Sequence, residues 1–518
     1  METMETDVLV IGCGIAGCSV AMAAAKNGLS VLMITNAKEP EESNTYHAQG
    51  GIIYKGENDS PELLIKDLMR AGADLCKGDA TRNLSEKGPK FIEDILMKEL
   101  DVNFDKTLKD ELHITDEGAH SVPRIIHAED LTGKAIELAF LKGLKNYKNI
   151  TIKATLTAID LLTLSHHSLN SLDIYKEPTC AGAYVFDQIN NKVFPIMAKE
   201  TTLATGGLGR LFLHTTNPKG ARGDGIAMAN RAGARILNME YIQFHPTSLY
   251  HPEADRFLIS ESLRGEGAKL INKKGESFME KYHRLGTLAP RDIVARGIHE
   301  EMLQDGSECV FLDISHKKGD WIKKRFPNIY RKCLEYKIDI TKQPIPVVPA
   351  AHYSCGGIVV DLEGRTSIKR LWAAGEVTCS GIHGANRLAS SSLLEGLVWG
   401  TLAGQRITCE IEKDEIHFPK IASWRYEVEE VDPALILQDW LTIKQTMWNY
   451  VGLVRTAKRL ARAEKILSEL QSEIEEFYRN SMLSDELIGL RNGIQAAIVV
   501  LQAAKVNRES RGCHYRKD

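Results

Sequence analysis

Gly12, Gly14 and Gly17 stand at G-x-G-x-x-G spacing in Gly12-Cys13-Gly14-Ile15-Ala16-Gly17. That spacing lets backbone approach a diphosphate: a tight turn at Gly12, an open face at Gly14 and close helix packing at Gly17. A helix starting there adds free N–H groups and the positive end of its dipole. Four polar clusters lie further along: Gln243-Phe244-His245-Pro246-Thr247, Ser260-Glu261 with Arg264-Gly265-Glu266-Gly267, Pro290-Arg291-Asp292, and His352-Tyr353-Ser354-Cys355-Gly356-Gly357 with His383-Gly384-Ala385-Asn386-Arg387 beyond it. Each alone has an ordinary structural reading: a satisfied loop His before Pro, or an Arg291–Asp292 ion pair. As a set they suit a small dianion. A dicarboxylate takes charge-assisted donors at both ends, and arginine binds a carboxylate through two parallel hydrogen bonds.

The elements that must position these groups are legible around them. Asp7 to Ile11 reads as a short buried strand, Cys18 to Lys26 as a helix that Gly28 can end, and Ser30 to Thr35 as the next strand. This βαβ context raises the glycine spacing from a weak signal to a strong one. Where many dinucleotide sites place an acid after the second strand, Thr35-Asn36 offers only neutral hydrogen bonds. Thr202 to Gly207 and Leu371 to Glu376 read as further strands running into glycine, and Gly223-Asp224-Gly225 precedes a helix over Ile226 to Ala234. The division expected is a nucleotide-binding α/β domain from residues 1–240 and 351–415, an insert over 241–350, and a helical domain over 430–518. Residues 415–432 read as a polar linker. Asp432-Pro433 fits a helix start with Pro at its first position.

Composition bounds the rest. The chain has 518 residues, 43% hydrophobic and 26% charged, with net charge −4. These are globular values without a nucleic-acid footprint. Val8 to Ala25 is an uncharged stretch, but acids precede it and glycines punctuate it, against a signal peptide or a membrane span. The ten cysteines include no C-x-x-C pair, so no metal site is expected, and nothing points to an oxidising compartment. A cytoplasmic protein without a membrane anchor is the expectation.

The ordered motifs resemble the flavoprotein subunits of succinate dehydrogenase and fumarate reductase and their relatives, the L-aspartate oxidases. They are the N-terminal glycines, Ala48-Gln49-Gly50-Gly51, Thr215-Thr216-Asn217-Pro218, Gly223-Asp224-Gly225, the clusters around His245, Arg291 and His352, and Arg508-Glu509-Ser510-Arg511-Gly512-Cys513-His514. The resemblance covers nearly the whole chain. It implies an α/β FAD-binding Rossmann-like domain with an inserted α+β capping domain and a C-terminal helix bundle. Beyond Gly12 to Gly17, it implies FAD contacts at Asn36, Asn44, Thr45, Gly50, Gly51, Asp224, Glu376, Ser392 and Leu393. Respiratory members carry Ser-His-Thr, whose His bonds covalently to FAD. Here the sequence is Ser43-Asn44-Thr45, with His47 out of register, so FAD is expected to be non-covalent. This favours the oxidase branch, as does Thr115-Asp116-Glu117-Gly118-Ala119-His120-Ser121, whose Glu117 is implied to meet a substrate amine. Ser260 and Ser391 stand where Thr and Asn are common. The implied reaction is oxidation of L-aspartate to iminoaspartate as the first step of de novo NAD synthesis. His245, Ser260, His352 and Arg387 would hold the carboxylates, and Arg291 would supply charge or a proton. O2 or fumarate would accept electrons, fumarate giving succinate, and product would pass to a quinolinate synthase. The alternative is a fumarate reductase or succinate dehydrogenase flavoprotein subunit.

Overall fold

The computed structural model describes residues 3–129, 131–254, 257–413, 417–425 and 429–518. Its centre is a seven-stranded sheet built outward from β1 (Met4–Ile11). β1 lies parallel to β2 (Val31–Ile34) on one side and to the strand Lys192–Leu203 on the other. Val8, Leu9 and Val10 are fully buried, as expected for a strand covered on both faces. The strand Leu371–Ala373 pairs parallel with Lys192–Leu203, so residues far apart in sequence close one sheet.

Between β1 and β2 runs α1 (Ile15–Lys26), which starts three residues earlier than sequence periodicity marks it. The uncharged stretch is thus one buried strand and one 12-residue helix. Only Lys26 of α1 escapes burial, because the helix is apolar all round and is covered by the helix Ser391–Ile411. Gly396, Gly400 and Gly404 form the contact stripe of that second helix. A Cβ at Gly400 would lie 2.5 Å from the Ala16 carbonyl oxygen, and one at Gly404 2.5 Å from that of Val20.

A second, antiparallel sheet forms between residues 242 and 354, in the order Ile242–Leu249, Ile345–Ser354, Val310–Asp313, Lys269–Ile271. Its strand Ile345–Ser354 runs through position 350 and carries His352. The register shifts between Gln243 and Phe244 and again between His245 and Ser248. Such bulges bend a strand and re-aim its side chains. The helix Arg291–Asp305 packs on the Ile242–Leu249 strand.

Three helices, Pro433–Val451, Ala457–Asn480 and Asp485–Val506, form the C-terminal bundle. The side chains of Asp432, Thr456 and Ser484 cap them, accepting from Ala434 N at 2.8 Å and from Arg459 N and Leu487 N at 3.2 Å. The polar linker lies partly outside the described residues. Among the described residues, Asp485–Val506 is the one helix long and apolar enough to cross a membrane; 72% of its apolar window is buried against the rest of the protein.

Candidate functional site

The glycine turn has the geometry its spacing predicts. Gly12 adopts φ +115°, and a Cβ there would sit 2.1 Å from the Ala204 carbonyl oxygen. A Cβ on Gly17 would lie 2.1 Å from the Gly12 carbonyl oxygen. Gly14 is the N-cap of α1, with Thr45 Oγ1 and Ser43 around the place its Cβ would take. Thr45 Oγ1 accepts from Ile15 N at 3.1 Å. The first turn of α1 holds no acid, so its N-terminus keeps a positive potential for a phosphate. Cys13 is buried, with its carbonyl accepting from the Cys18 thiol at 3.0 Å.

The other residues expected around the cofactor make contacts of their own. Ala16 lies beneath Gly375, whose added Cβ would meet it at 2.9 Å. Asn44 Nδ2 donates to Glu376 Oε2 at 2.6 Å, and Ser354 N donates to Glu376 Oε1 at 3.0 Å. Burial pushes the Glu376 carboxyl up to about 7, against the lowering pull of Ser354, Asn44 and Arg387. Asn44 Oδ1 is buried and has no hydrogen-bond partner among the described residues. Gly50 opens toward Ser390 Oγ and Glu117, whereas Gly51 packs against Ile125 and Ile126. The Asn36 carbonyl accepts from Gln188 Nε2 at 2.8 Å. Asp224, first residue of the helix Asp224–Arg231, already accepts from Arg222 and from Asn492 Nδ2 at 3.0 Å, tying this corner to the C-terminal bundle. Ser392 Oγ accepts from Arg387 Nη1 at 3.3 Å, and Leu393 is buried behind it. His47 is exposed and faces Glu42 at 3.2 Å.

The polar clusters converge around the paired strands Ile242–Leu249 and Ile345–Ser354, which carry His245 and His352. His245 and His352 lie with ring centroids 5.7 Å apart. His245 Nδ1 is held by the Thr247 backbone, and His352 Nδ1 lies 2.9 Å from Thr216 Oγ1. Neither Nε2 has a hydrogen-bond partner among the described residues. Burial pushes both imidazoles well below their usual range; Arg291, Arg264 and Arg387 add to this at His245, and Arg387, His245 and Arg291 at His352. Both histidines are therefore neutral donors or acceptors at physiological pH.

Arg387 donates through Nε to Gln243 Oε1 at 3.2 Å and stands 4.6 Å over the Tyr353 ring. Gln243 Nε2 closes the clamp on the Arg387 carbonyl at 2.9 Å. Behind Tyr353, the buried Glu395 accepts from Tyr353 OH at 2.8 Å and Ser380 Oγ at 2.5 Å, and His383 Nε2 lies 2.9 Å away. Arg291 is bonded to Glu261 through Nε. Arg264, fully buried, lies 3.4 Å from the other oxygen of Glu261. Burial would raise the Glu261 carboxyl, but Arg291 and Arg264 outweigh it and hold it low. Glu117 Oε2 accepts from Ser390 Oγ at 2.7 Å, and among the described residues no hydrogen bond reaches Oε1. It is near enough to raise the Arg291 guanidinium electrostatically. Ser260 Oγ is engaged with Ser262 Oγ at 2.6 Å.

Sequence spacing alone leaves Arg264 and Glu261 as motif residues without roles. Their burial and the shared carboxylate bring them into the cluster. The signal that could have found them is an Arg three residues after a Glu on one helical face.

Known proteins match this arrangement. Residues 7–393 fit the FAD binding domain family, and residues 441–518 fit the fumarate reductase flavoprotein C-terminal family. An L-aspartate oxidase of Ralstonia nicotianae is 45% identical, covering 99% of this chain and 96% of its own. That of Acinetobacter baylyi is 44% identical over 100% and 94%, and a chloroplastic one of Arabidopsis thaliana 41% over 100% and 82%. Among solved structures, an E. coli quinol fumarate reductase superposes with a TM-score of 0.87 at 26% identity over 100% of this chain and 92% of that one. Mycobacterium smegmatis Sdh1 gives 0.87 at 28%, over 100% and 90%. A glycine cradle for FAD, a cluster of cations beside it and full-length identity above 40% agree: the chain belongs to the L-aspartate oxidase family of FAD-binding flavoproteins.

Proposed function

We propose that this protein oxidises L-aspartate to iminoaspartate, the entry to NAD biosynthesis, at the cluster of His245, His352, Arg291, Arg387 and Glu117. The observation that carries it is the charge pattern: three arginines and two neutral histidines beside one open carboxylate, Glu117. A dicarboxylate with an amine matches that pattern at each end; succinate leaves Glu117 unanswered.

FAD fits the residues present. The Gly14 face, the acid-free N-terminus of α1 and the Gly50 opening take its diphosphate and ring, and Asn44 stands where covalent attachment would need an imidazole. When bound, FAD supplies the two-electron acceptor for the amino acid. The protein's part is position and charge. In the tautomer where Thr216 Oγ1 donates to His352 Nδ1, Nε2–H is left to donate to a carboxylate. Arg387, fixed by Gln243 and Ser392, faces the same group. Glu117 Oε1 accepts from the substrate amine, while Ser390 holds its other oxygen. Arg291 acts as fixed positive charge during oxidation, since Glu261 keeps it protonated. In the other half-reaction, with fumarate as oxidant, Arg291 would pass a proton to the product, with Glu261 beside it. Ser260 Oγ, beside Ser262 Oγ, supplies a further hydroxyl for a carboxylate. Reoxidation by O2 or fumarate and handover of the unstable imine to a quinolinate-forming enzyme belong to the same proposal, as does action in the cytoplasm.

Anaerobic flavin bleaching tests it. L-aspartate is expected to bleach the FAD-loaded protein, and air or fumarate to restore its colour. Bleaching by succinate with no response to aspartate would move the protein to the respiratory branch.

A further inference from the structure

Arg508-Glu509-Ser510-Arg511-Gly512-Cys513-His514 is an ordered motif of this chain, and it carries no group that the proposed reaction uses. The structure places it and the residues just after it between the elements that bear Arg387 and Arg291. On one side it meets the turn before Arg387. Gly512 adopts φ +52°, and a Cβ there would lie 2.4 Å from the Ala385 carbonyl oxygen, so a glycine is needed for this approach. Cys513 N donates to the same oxygen at 2.9 Å, and the Cys513 thiol donates to Asn386 Oδ1 at 3.1 Å. Asn386 Oδ1 also accepts from Gln243 Nε2 at 2.7 Å, and Gln243 Oε1 is what Arg387 Nε donates to.

On the other side the segment meets the helix Arg291–Asp305. The Arg296 guanidinium lies 4.7 Å over the Tyr515 ring, and Arg296 Nη2 donates to Asp292 Oδ2 at 2.7 Å, in the turn that Arg291 opens. Lys517 Nζ lies 3.6 Å from Glu300 on the same helix. The fully buried Arg455 anchors the segment between these contacts. Its N donates to the Tyr515 carbonyl at 3.0 Å, and its Nη1 donates to the Glu240 carbonyl at 2.7 Å and to His514 Nδ1. We propose that Gly512 to Tyr515 is a strap that sets the position of Arg387 against Arg291, with Gly512 and Tyr515 as positioning residues. Gly512 acts on the grip of a carboxylate, through the turn that carries Arg387. Tyr515 acts on the fixed charge used in oxidation, through Arg296, Asp292 and the first turn of the helix. This rests on the reading of Arg387 as a carboxylate ligand and of Arg291 as that charge.

The two ends of the strap should fail differently in the FAD-loaded protein. Gly512→Ala should raise KM for aspartate, and the Kd of succinate read from the flavin spectrum, by roughly tenfold or more, on the scale of an overpacked contact, while kcat is kept. Tyr515→Ala should lower kcat about two- to fivefold, the worth of one exposed cation–π contact, while KM and succinate affinity are kept. Tyr515→Phe preserves the ring face and should match wild type. In an Arg291→Gln background Tyr515→Ala should lower kcat no further, because it acts through that guanidinium. Melting temperature and FAD affinity, measured on each variant, separate these effects from loss of fold or cofactor. A folded Gly512→Ala with the KM of wild type would overturn the inference. So would a Tyr515→Ala that leaves kcat unchanged, or that lowers it equally with and without Arg291; this series decides the matter even where Gly512→Ala does not fold. If wild type oxidises succinate and not aspartate, the substrate reading fails, and the strap then stands or falls on the same split measured with succinate as the donor.

Discussion

Arg291 and Glu117 are half-buried side chains whose work can be separated. Arg291→Gln removes the fixed charge that Glu261 holds in place. It should lower kcat by about 10²–10³, as loss of one preorganised donor does, while FAD affinity is unchanged; a loss confined to KM would reassign Arg291 to binding. Glu117→Gln keeps the Ser390 contact but gives up the charge proposed to meet the substrate amine. KM for aspartate should rise about 10-fold, on the scale of one charge-assisted hydrogen bond. Inhibition by succinate, which has no amine, should be unaltered. An equal loss toward both ligands would show that Glu117 shapes the pocket rather than reads the amine.

At the scale of elements, the glycine turn fixes where α1 begins, and the turn tolerates no added atom on its inner face. Gly17→Ala would drive a Cβ to within 2.1 Å of backbone oxygen. It should cost about 1–3 kcal/mol or more by overpacking and abolish FAD binding. Gly28→Ala meets nothing within 4 Å and bears only the strain of φ +84°, about 1–2 kcal/mol, with FAD binding retained. Thermal melts and FAD titrations of the two variants separate these outcomes. That contrast also marks what a sequence discloses. The βαβ unit was legible because its signals are local: β-branched residues, spaced glycines and an uncharged helix. The start of the helix Asp432-Pro433 was legible for the same reason. The bulged strand at His245 was not, since a bulge depends on pairing with Ile345–Ser354, about a hundred residues on. The site divides likewise. His245, Arg291, His352 and Arg387 stand in recognisable motifs. The sharing of Glu261 between Arg291 and Arg264 and the Tyr353–Glu395 support under Arg387 are products of tertiary packing.

For the whole molecule, the charges held at the junction of insert and main sheet make stability depend on pH. Glu376 titrates at about 7 in the folded protein against roughly 4.3 in an unfolded chain. A raised carboxyl contributes stability that is fully present below the unfolded value and is lost as pH rises through about 7. The melting temperature of the apoprotein should therefore fall between about pH 4.5 and 7 on this account, and Glu376→Gln should flatten that part of the profile. An unchanged slope in the variant would assign the effect to other groups.

The pocket's arginines have a further consequence. Arg387 is buried, and Arg291 opposes its charge. In the absence of substrate such a group is a standing liability to the fold, kept, on the proposed mechanism, for the grip it gives on substrate. Arg387→Met, which can still cover the Tyr353 ring, should raise the melting temperature of the apoprotein while abolishing turnover. Selection for thermal robustness alone would therefore erode this pocket first, and a library screened only for heat resistance should return stable proteins that have forgotten how to grip a dicarboxylate.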